Sequence, residues 1–246
     1  MRTHGVEHPP RGLVHCAGTA CARLGSSPAN TYSDIVFVPG YAKDKAPYGR
    51  YAVKATMTPC SWAEDTVKDI AAMVVATPAK GKRLTDAVGA QNIAFSRPAG
   101  ERVTAFGCPA TTPQRGEELL YCPGNSQRAP EGEEHVPCDL GGSASGGPWL
   151  AGFNSPTGKG TVVSVNSHGE GDGGTPMYGP TLDKTAGRLQ RRPARLSAEA
   201  SAGRSSGPLD PGGGHDDFAA QRVRGGSFGR GAGRRGYVRR PSCVPR

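Results

Sequence analysis

The sequence predicts an all-β protein, and three observations carry this prediction. Short runs of β-branched and aromatic residues recur along the chain, in the length range of strands. The 246 residues include 37 glycines and 22 prolines, which interrupt every longer stretch and disfavour helical bundles and coiled coils. No segment approaches the roughly 20 consecutive apolar residues of a transmembrane helix. Many short strands joined by Gly/Pro turns are typical of a β-barrel or β-sandwich.

Five segments are predicted to be strands, and turn signals such as Pro39-Gly40 separate them. Most are short apolar runs, and the last is rich in β-branched residues between glycines. For the third, periodicity alone does not distinguish a buried strand from a short helix. In chain order the five segments are Asp34 to Pro39, Tyr51 to Thr58, Asp69 to Thr77, Glu101 to Gly107 and Gly160 to Val165.

The formal net charge of +9 comes entirely from the last part of the chain. Residues 188–246 hold 13 arginines, no lysine and 4 acidic residues, whereas residues 1–187 hold 17 basic and 17 acidic residues. This composition buries too little apolar surface to offset the entropy of ordering, so a disordered tail is predicted over residues 188–246. Its Arg224 to Gly236 segment resembles a short RGG-type sequence, which predicts weak, nonspecific nucleic-acid binding as one alternative function. A solvated tail without a binding role is the interpretation that we favour.

The most informative motif surrounds Ser145, where residues 141–149 read GGSASGGPW. A glycine-rich turn can expose a serine nucleophile. It can also let backbone N–H groups converge on the oxyanion that forms in acyl transfer. From these residues alone, a plain glycine-rich surface loop is the alternative.

Several further blocks occur in a fixed order around this motif. They are FVPGY at 37–41, APYGRY at 46–51, SW at 61–62 followed by KDIAAMVV, LTDAVGAQNIAF at 84–95, CDL at 138–140, FNSPTGKGT at 153–161, SVNSH at 164–168 and MYGP at 177–180. Together with SGGPWL they resemble the trypsin-like (chymotrypsin-fold) serine endopeptidases, in particular a secreted actinobacterial branch. The resemblance runs from about Cys16 to about Ala186.

The resemblance implies a chymotrypsin-like double β-barrel over residues 13–187, after an unstructured leader over residues 1–12. The first barrel is expected to be incomplete because its opening strands are missing. The implied activity is hydrolysis of peptide bonds in a peptide or protein substrate through an acyl-enzyme. By the same resemblance, we expect an extracellular monomer without a cofactor, a metal or a membrane association.

The resemblance also assigns two residues of a catalytic triad. Ser145 is the nucleophile, because it directly precedes Gly-Gly-Pro as in the family block. Asp69 is the carboxylate that orients the base, because it opens the apolar strand after Trp62. Asp65 is the rival acid, but it lacks the adjoining strand.

By position, the oxyanion would be bound by the backbone N–H groups of Ser143 and Ser145. The family has glycine where this chain has Ser143, and serine there carries a steric cost if the backbone angle is unusual. The implied specificity pocket includes Val165, Ser167 and His168. In glutamyl endopeptidases a pocket histidine partners an acidic side chain. A solvent-facing histidine at a strand edge is the alternative here, so acidic specificity is not predicted.

The catalytic histidine is the main departure from the family. The family carries Thr-Ala-x-His-Cys after a Cys-x-Gly-Thr block, whereas here residues 16–19 read CAGT and Ala20-Cys21 follow at once. A serine nucleophile needs a base within hydrogen-bond reach. His15 is the remaining candidate nearby, and a solvent-exposed imidazole is the interpretation that we favour for it. Weak or absent activity is therefore expected, and an inactive homologue that binds peptides is the alternative.

The chain has seven cysteines, an odd number that leaves at least one free thiol. The family resemblance implies disulfides between Cys122 and Cys138 and between Cys16 and Cys21. Disulfides predict an oxidising compartment.

Two further roles for cysteine are considered. Cys60 and Cys108 could pair with each other. A zinc site is the rival use of His135 and Cys138, but the chain contains no paired Cys-x-x-C, which structural zinc sites favour.

Residues 1–30 contain no continuous apolar run, so no secretory signal peptide is predicted. This conflicts with an extracellular location. Arg, Gly, Pro and Ala are the residues that GC-rich DNA encodes out of frame. Our hypothesis is therefore a degraded or mis-framed member of a secreted protease family.

Overall fold

A computed structural model of the protein describes residues 6–7, 13–16, 34–59, 62, 66–110, 116–170, 174–190 and 218–222. Several of these, including 6–7, 15–16 and 218–222, are described by their backbone alone. In chain order the strands are β1 (Val6–Glu7), β2 (Leu13–Cys16), β3 (Val36–Phe37), β4 (Tyr51–Pro59), β5 (Ala71–Val75), β6 (Asn92–Ala94), β7 (Arg102–Gly107), β8 (Leu120–Asn125), β9 (Gln127–Arg128), β10 (Glu134–Val136), β11 (Pro148–Asn154), β12 (Lys159–Val165), β13 (His168–Glu170), β14 (Gly174–Gly179) and β15 (Phe218–Arg222). Helix α1 spans Leu84–Val88, helix α2 spans residues 184–190, and a 3₁₀ turn spans Thr66–Lys68. The predicted all-β class is confirmed.

The first sheet has the strand order β15-β4-β5-β2, and β3 pairs with the beginning of β4. The first half of β4 alternates between buried and exposed residues, with Tyr51 and Val53 facing the core. This period of two is what a strand with one solvated face requires. β5 is buried along most of its length, because its two faces pack in two different hydrophobic clusters, and β2 and β4 pair with its two edges.

The second half of the domain contains a six-stranded sheet in the order β1-β6-β12-β11-β7-β8. Its centre is the antiparallel pair β11–β12, which carries the buried Trp149. A four-stranded sheet in the order β13-β14-β10-β9 packs beside it, and β13 follows β12 after two residues. The loop between β10 and β11 carries Ser145, and the β12–β13 connection carries Ser167, so both residues lie between these sheets.

One hydrophobic cluster joins the two halves of the domain. Met57 and Ile70 from the first half pack with Val165 of β12 and with Leu182 and Leu189 near the end of the domain. Burial of such side chains stabilises a fold by about 1.5–3 kcal/mol each relative to exposure. This shared core therefore fixes the two halves of the domain relative to each other, and with them the loops that lie between the halves.

The folded domain extends beyond the boundary expected at Gly187. Asp183 caps helix α2, because its side-chain oxygen accepts from the backbone N–H groups of Thr185 and Ala186 at 2.7 and 3.1 Å. Leu189 in the same helix is fully buried. The boundary moves because an apolar helix face, set by Ala186 and Leu189, completes the core described above.

Short strands also occur in both terminal segments that were expected to lack structure. β1, within the expected leader, pairs with β6, and β15, within the expected tail, pairs with β4. Both lie along edge strands, whose free N–H and C=O groups favour added pairing. The Arg224–Gly236 segment lies outside the described residues. Neither α1 nor α2 has the length or apolarity to cross a bilayer.

Candidate functional site

Ser145 lies at a tight turn immediately before β11 and its side chain is exposed. The N–H of Gly146 donates to the carbonyl of Asn166 at 2.8 Å, and the N–H of Gly147 donates to the carbonyl of Ala144 at 3.2 Å. The N–H of Asn166 in turn donates to the carbonyl of Gly147 at 2.8 Å. These bonds fix the backbone on both sides of Ser145 and leave its hydroxyl at the surface.

The side chain of Asn166 ties this turn to the neighbouring strands. Its Nδ2 donates to the carbonyl oxygens of Phe106 and Ala144 at 2.7 and 2.8 Å, and its Oδ1 accepts from Nε1 of Trp149 at 2.7 Å. Asn166 is 1% exposed, so water does not compete for these bonds. Sequence analysis did not identify this residue, because its three partners are distant in the sequence.

Glycine is required at position 147 by packing against β7. A Cβ atom there would overlap the carbonyl oxygen of Phe106 and would lie 2.7 Å from Nδ2 of Asn166. No side chain fits without moving β7 or breaking the Asn166 bonds. The second glycine of the Gly-Gly-Pro motif is therefore required, because the backbones at positions 147 and 106 lie too close together for a side chain.

A chain of hydrogen bonds leads from Ser145 to Asp69. The Ser145 hydroxyl donates to the backbone carbonyl of Ser167 at 3.2 Å, and the Ser167 hydroxyl donates to Oδ2 of Asp69 at 2.6 Å. Nε1 of Trp62 donates to Oδ1 of Asp69 at 2.9 Å. The Asp69 carboxylate is 1% exposed, and donors of this kind compensate a buried charge. The Asp69–Trp62 contact was not predicted from the sequence.

The backbone at Ser143 has a positive φ of 69°, in the left-handed region that glycine favours. The steric cost predicted for serine at this position therefore has a structural basis. Within the described part of the chain, the N–H groups of Ser143 and Ser145 have no backbone or side-chain acceptor. Both remain available to an oxyanion.

A cleft of about 200 Å³ adjoins Ser145. One wall is formed by residues 141–145 and the other by residues 166–169, with Met177 completing the lining. Ser167 and His168, which were predicted to belong to a specificity pocket, both line this cleft. Val165 does not, because it is 1% exposed and packs in the hydrophobic cluster that joins the two halves. The side chain of Val165 therefore belongs to the core between the two halves, which corrects its expected place in the pocket.

His168 is held by two neighbours. Its Nε2 lies 3.2 and 3.3 Å from the two carboxylate oxygens of Glu133. Its ring stacks on Tyr178 with centroids 4.9 Å apart and an angle of 11° between the planes. Glu133 was not predicted as a site residue, because nothing in its local sequence marks a contact 35 residues away.

The histidines that could act as the general base are only partly described by the structure. His15 lies in β2 and its backbone pairs with Ala72, but its side chain and residues 17–33 lie outside the described residues. Of the two histidines whose side chains are described, His168 contacts Glu133 and Tyr178, and His135 packs against Tyr178. Neither is hydrogen bonded to Ser145.

The predicted disulfide between Cys122 and Cys138 is confirmed. It consumes the Cys138 sulfur, so the alternative zinc site with His135 lacks a thiolate ligand. Among the described residues, no cluster of three metal-ligating side chains is present. Cys108 is a free, exposed thiol, so its proposed pairing with Cys60 was wrong.

The other cysteine predictions remain untested. Cys21, the partner implied for Cys16, lies outside the described residues.

Comparison with solved structures identifies similar proteins. The protease Anisep from Arthrobacter nicotinovorans is 30% identical, with a TM-score of 0.68, over 77% of this chain and 88% of its own. The thermostable serine protease AL20 from an extremophilic microorganism is 28% identical, with a TM-score of 0.69, over 78% of this chain and 89% of its own. A Glu endopeptidase, at 15% identity and a TM-score of 0.58, shares the fold over 80% of this chain and 88% of its own.

No protein-family profile matches the chain. A search of curated proteins also finds no match. The similarity to Anisep nevertheless covers most of both chains, at 30% identity and a TM-score of 0.68. The chain belongs to the bacterial serine proteases of the chymotrypsin fold.

Proposed function

We propose that this protein binds extended peptides across the Ser145 cleft and hydrolyses them slowly through an acyl-enzyme on Ser145. One observation carries the proposal: an exposed hydroxyl, two backbone N–H groups that find no acceptor among the described residues, and a cleft of about 200 Å³ occur together at one turn. These are the nucleophile, the oxyanion donors and the substrate site of acyl transfer.

The chemistry follows from these groups. Ser145 Oγ attacks the scissile carbonyl carbon, and the carbonyl oxygen becomes an oxyanion that accepts from the N–H groups of Ser143 and Ser145. Collapse of this intermediate breaks the C–N bond, and the amine leaves with a proton. Water then attacks the ester carbonyl, and the Ser145 oxygen leaves with a proton to restore the hydroxyl.

Proton transfer from Ser145 limits the expected rate. The hydroxyl proton points at the carbonyl oxygen of Ser167, which is a hydrogen-bond acceptor but a very weak base. A positioned general base contributes about 10²–10⁴-fold to such reactions. Asp69 accepts from Trp62 and Ser167. We assign Asp69 the role of orienting a base by the family resemblance, and two of its contacts are made to other donors.

Peptide binding without cleavage is the second candidate function. The hydrogen bond from Ser145 to the Ser167 carbonyl favours it, because it stabilises the hydroxyl in its protonated form. In either case the partner is a peptide or protein chain. The Cys122–Cys138 disulfide favours an oxidising, extracellular compartment for this encounter.

Covalent labelling with a small fluorophosphonate tests the proposal. We expect slow labelling of one site, measured by intact-protein mass spectrometry, in the wild-type protein. The same labelling is expected in Ser155→Ala, the control at another exposed serine. Ser145→Ala should not be labelled. Added imidazole should accelerate the wild-type reaction, because it supplies a base from solution. Fluorescent casein should be hydrolysed far more slowly than by an ordinary serine protease.

Two outcomes would decide against slow hydrolysis. Peptide binding without any labelling of Ser145 would leave the peptide-binding function in its place. Labelling and casein hydrolysis at the rate of an ordinary serine protease, without any effect of imidazole, would show that the chain supplies its own base.

A further inference from the structure

We propose that the outer edge of β4 is a second peptide-binding site, separate from the Ser145 cleft, which takes one extended strand by backbone pairing. Its resident ligand is β15 (Phe218–Arg222) of the same chain. The C-terminal segment therefore carries a strand that the edge of β4 can bind and release. The inference goes beyond the proposed function, because it concerns the first sheet and no residue that lines the cleft.

β15 lies on the edge of β4 that faces away from β5. Ala55, Thr56 and Met57 each pair with a residue of β5 and also with a residue of β15. Because a strand has two edges, these two partners lie on opposite sides of β4. β3 pairs only with the beginning of β4, at Tyr51 and Ala52. Among the described strands, β15 is therefore the partner that satisfies the outer edge of residues 55–59.

The burial of β4 changes where its pairing with β15 begins. Ala52 and Lys54 are exposed, whereas every residue from Ala55 to Met57 is buried. Arg222 pairs with Ala55, so the change coincides with the end of β15. Buried backbone N–H and C=O groups need hydrogen-bond partners, and on this edge the backbone of β15 supplies them. An extended backbone is therefore the kind of ligand that this edge requires.

The covalent connection does not by itself hold β15 at this edge. Residues 191–217 join α2 to β15, and a chain of 27 residues can reach about 90 Å when extended. Alanine, which forms the centre of β15 at positions 219 and 220, has a low intrinsic preference for strands. Backbone pairing with β4 therefore holds the strand, and this pairing can be reversed without any change of covalent structure.

The paired stretch of β4 also contributes to the core that joins the two halves of the domain. Ala220 pairs with Met57, which is fully buried and packs in the same cluster as Ile70. Ile70 directly follows Asp69 in the sequence. Release of β15 would therefore free the backbone edge beside this core, and its binding is expected to protect that edge from opening.

Hydrogen exchange of the full-length protein tests the occupancy of the edge. Ala219→Pro/Ala220→Pro removes at least one ladder bond in any register, because proline has no N–H and successive N–H groups of a strand point to opposite edges. We expect the outward amides of residues 55–58 to exchange at least about tenfold faster in this variant. Ser205→Pro/Ser206→Pro is the matched control, because it places two adjacent prolines in the same C-terminal segment but outside β15. It should leave the exchange of residues 55–58 unchanged.

A fluorescent peptide of residues 214–226 tests whether the edge binds a strand supplied from solution. Fluorescence polarisation should show saturable binding to the double-proline variant Ala219→Pro/Ala220→Pro. Binding to the wild-type protein should be at least about tenfold weaker, because its own β15 competes at an effective concentration on the order of 1 mM. The same peptide with prolines at positions 219 and 220 should bind neither protein.

Three outcomes would overturn the proposal. The first is rapid, unprotected exchange of the amides of residues 219–222 in the wild-type protein, which decides the question even if the double-proline variant does not fold. The second is equal binding of the peptide to both proteins, which would place it at another site. The third is a wild-type dimer in light scattering that becomes a monomer in the double-proline variant, which would assign the bound strand to a second copy of the chain.

The labelling of Ser145 by fluorophosphonate gives a separate result. Without that labelling, slow hydrolysis fails while the β4 site stands. Labelling together with unprotected residues 219–222 would refute the β4 site alone.

Discussion

The hydroxyl of Ser167 donates a 2.6 Å hydrogen bond to Oδ2 of Asp69, although the two residues are 98 positions apart. Asp69 precedes β5 in the first half of the domain, and Ser167 precedes β13 in the second half. The bond therefore crosses between the two halves at the same place where the Ser145 hydroxyl contacts the Ser167 carbonyl. Asp69 therefore stabilises the contact between the two halves of the domain, whether or not it also orients a base.

Ser167→Ala should lower the free energy of unfolding by about 1.5–3 kcal/mol, the range for hydrogen bonds to charged groups. The substitution removes one donor from a buried carboxylate and keeps the backbone carbonyl that Ser145 contacts. Urea unfolding followed by tryptophan fluorescence measures the change. Ser155→Ala, at an exposed turn, is the control and should change stability by less than about 0.5 kcal/mol. Equal losses in both variants would argue against this contact.

Asn166→Leu should be strongly destabilising, by about 3 kcal/mol or more. It leaves the Trp149 N–H and the carbonyls of Phe106 and Ala144 buried without their partner, and each such group costs about 1–3 kcal/mol. The same urea titration gives the loss. Asn125→Leu, at an exposed strand end, serves as the comparison. Stability close to the wild-type value in Asn166→Leu would show that these bonds contribute little.

Ser143→Gly should raise the free energy of unfolding by about 0–1.5 kcal/mol. Glycine relieves the left-handed strain at φ 69°, which costs about 1–2 kcal/mol, but it loses about 0.5–1 kcal/mol through backbone entropy. Ser96→Gly is a matched control, because Ser96 has φ 56° and lies outside the cleft. Only Ser143→Gly should alter the rate at which fluorophosphonate labels Ser145. An equal change in labelling by both variants would contradict the oxyanion role.

Glu134→Gln should stabilise the protein above neutral pH and have little effect near pH 4. Burial raises the pKa of Glu134, and the charge of Glu101 adds to this, against a hydrogen bond from Ser126 and the charge of Arg128. Because the pKa is higher in the folded than in the unfolded protein, the protonated form contributes stability at low pH. That contribution is lost as the pH rises through the folded value. Thermal unfolding from pH 4 to 8 measures the difference.

The exposed variant Glu131→Gln should show no such trend with pH. A wild-type protein that gains stability from pH 4 to 8 relative to Glu134→Gln would contradict the prediction.

The strands were largely predictable because local pattern encodes them. Tyr51 to Thr58 became β4 (Tyr51–Pro59), Glu101 to Gly107 became β7 (Arg102–Gly107) and Gly160 to Val165 became β12 (Lys159–Val165). The segment from Asp69 to Thr77, whose periodicity fitted both a buried strand and a short helix, contains β5 (Ala71–Val75). Backbone pairing with β2 and β4 on both edges makes it a strand.

The contacts of the site were less predictable than its motif. Ser145 and Asp69 were assigned from the sequence because family blocks surround them, and their catalytic roles stay predictions. Trp62, Glu133 and Asn166 were missed as contacts, because each acts through a partner that only the tertiary fold brings near. Val165 was misplaced for a related reason: its partners in the core, Met57 and Ile70, come from the other half of the domain.

Gly147 is required by the packing of the fold, and this requirement is independent of catalysis. The carbonyl of Phe106 and the amide of Asn166 exclude any side chain at this position. This steric demand exists whether or not a peptide is ever cleaved. A protein of this fold that had lost its base and its turnover would still need the glycine in order to fold. The second glycine of the Ser-Gly-Gly-Pro sequence is therefore a requirement of the architecture, and its presence does not by itself indicate proteolysis.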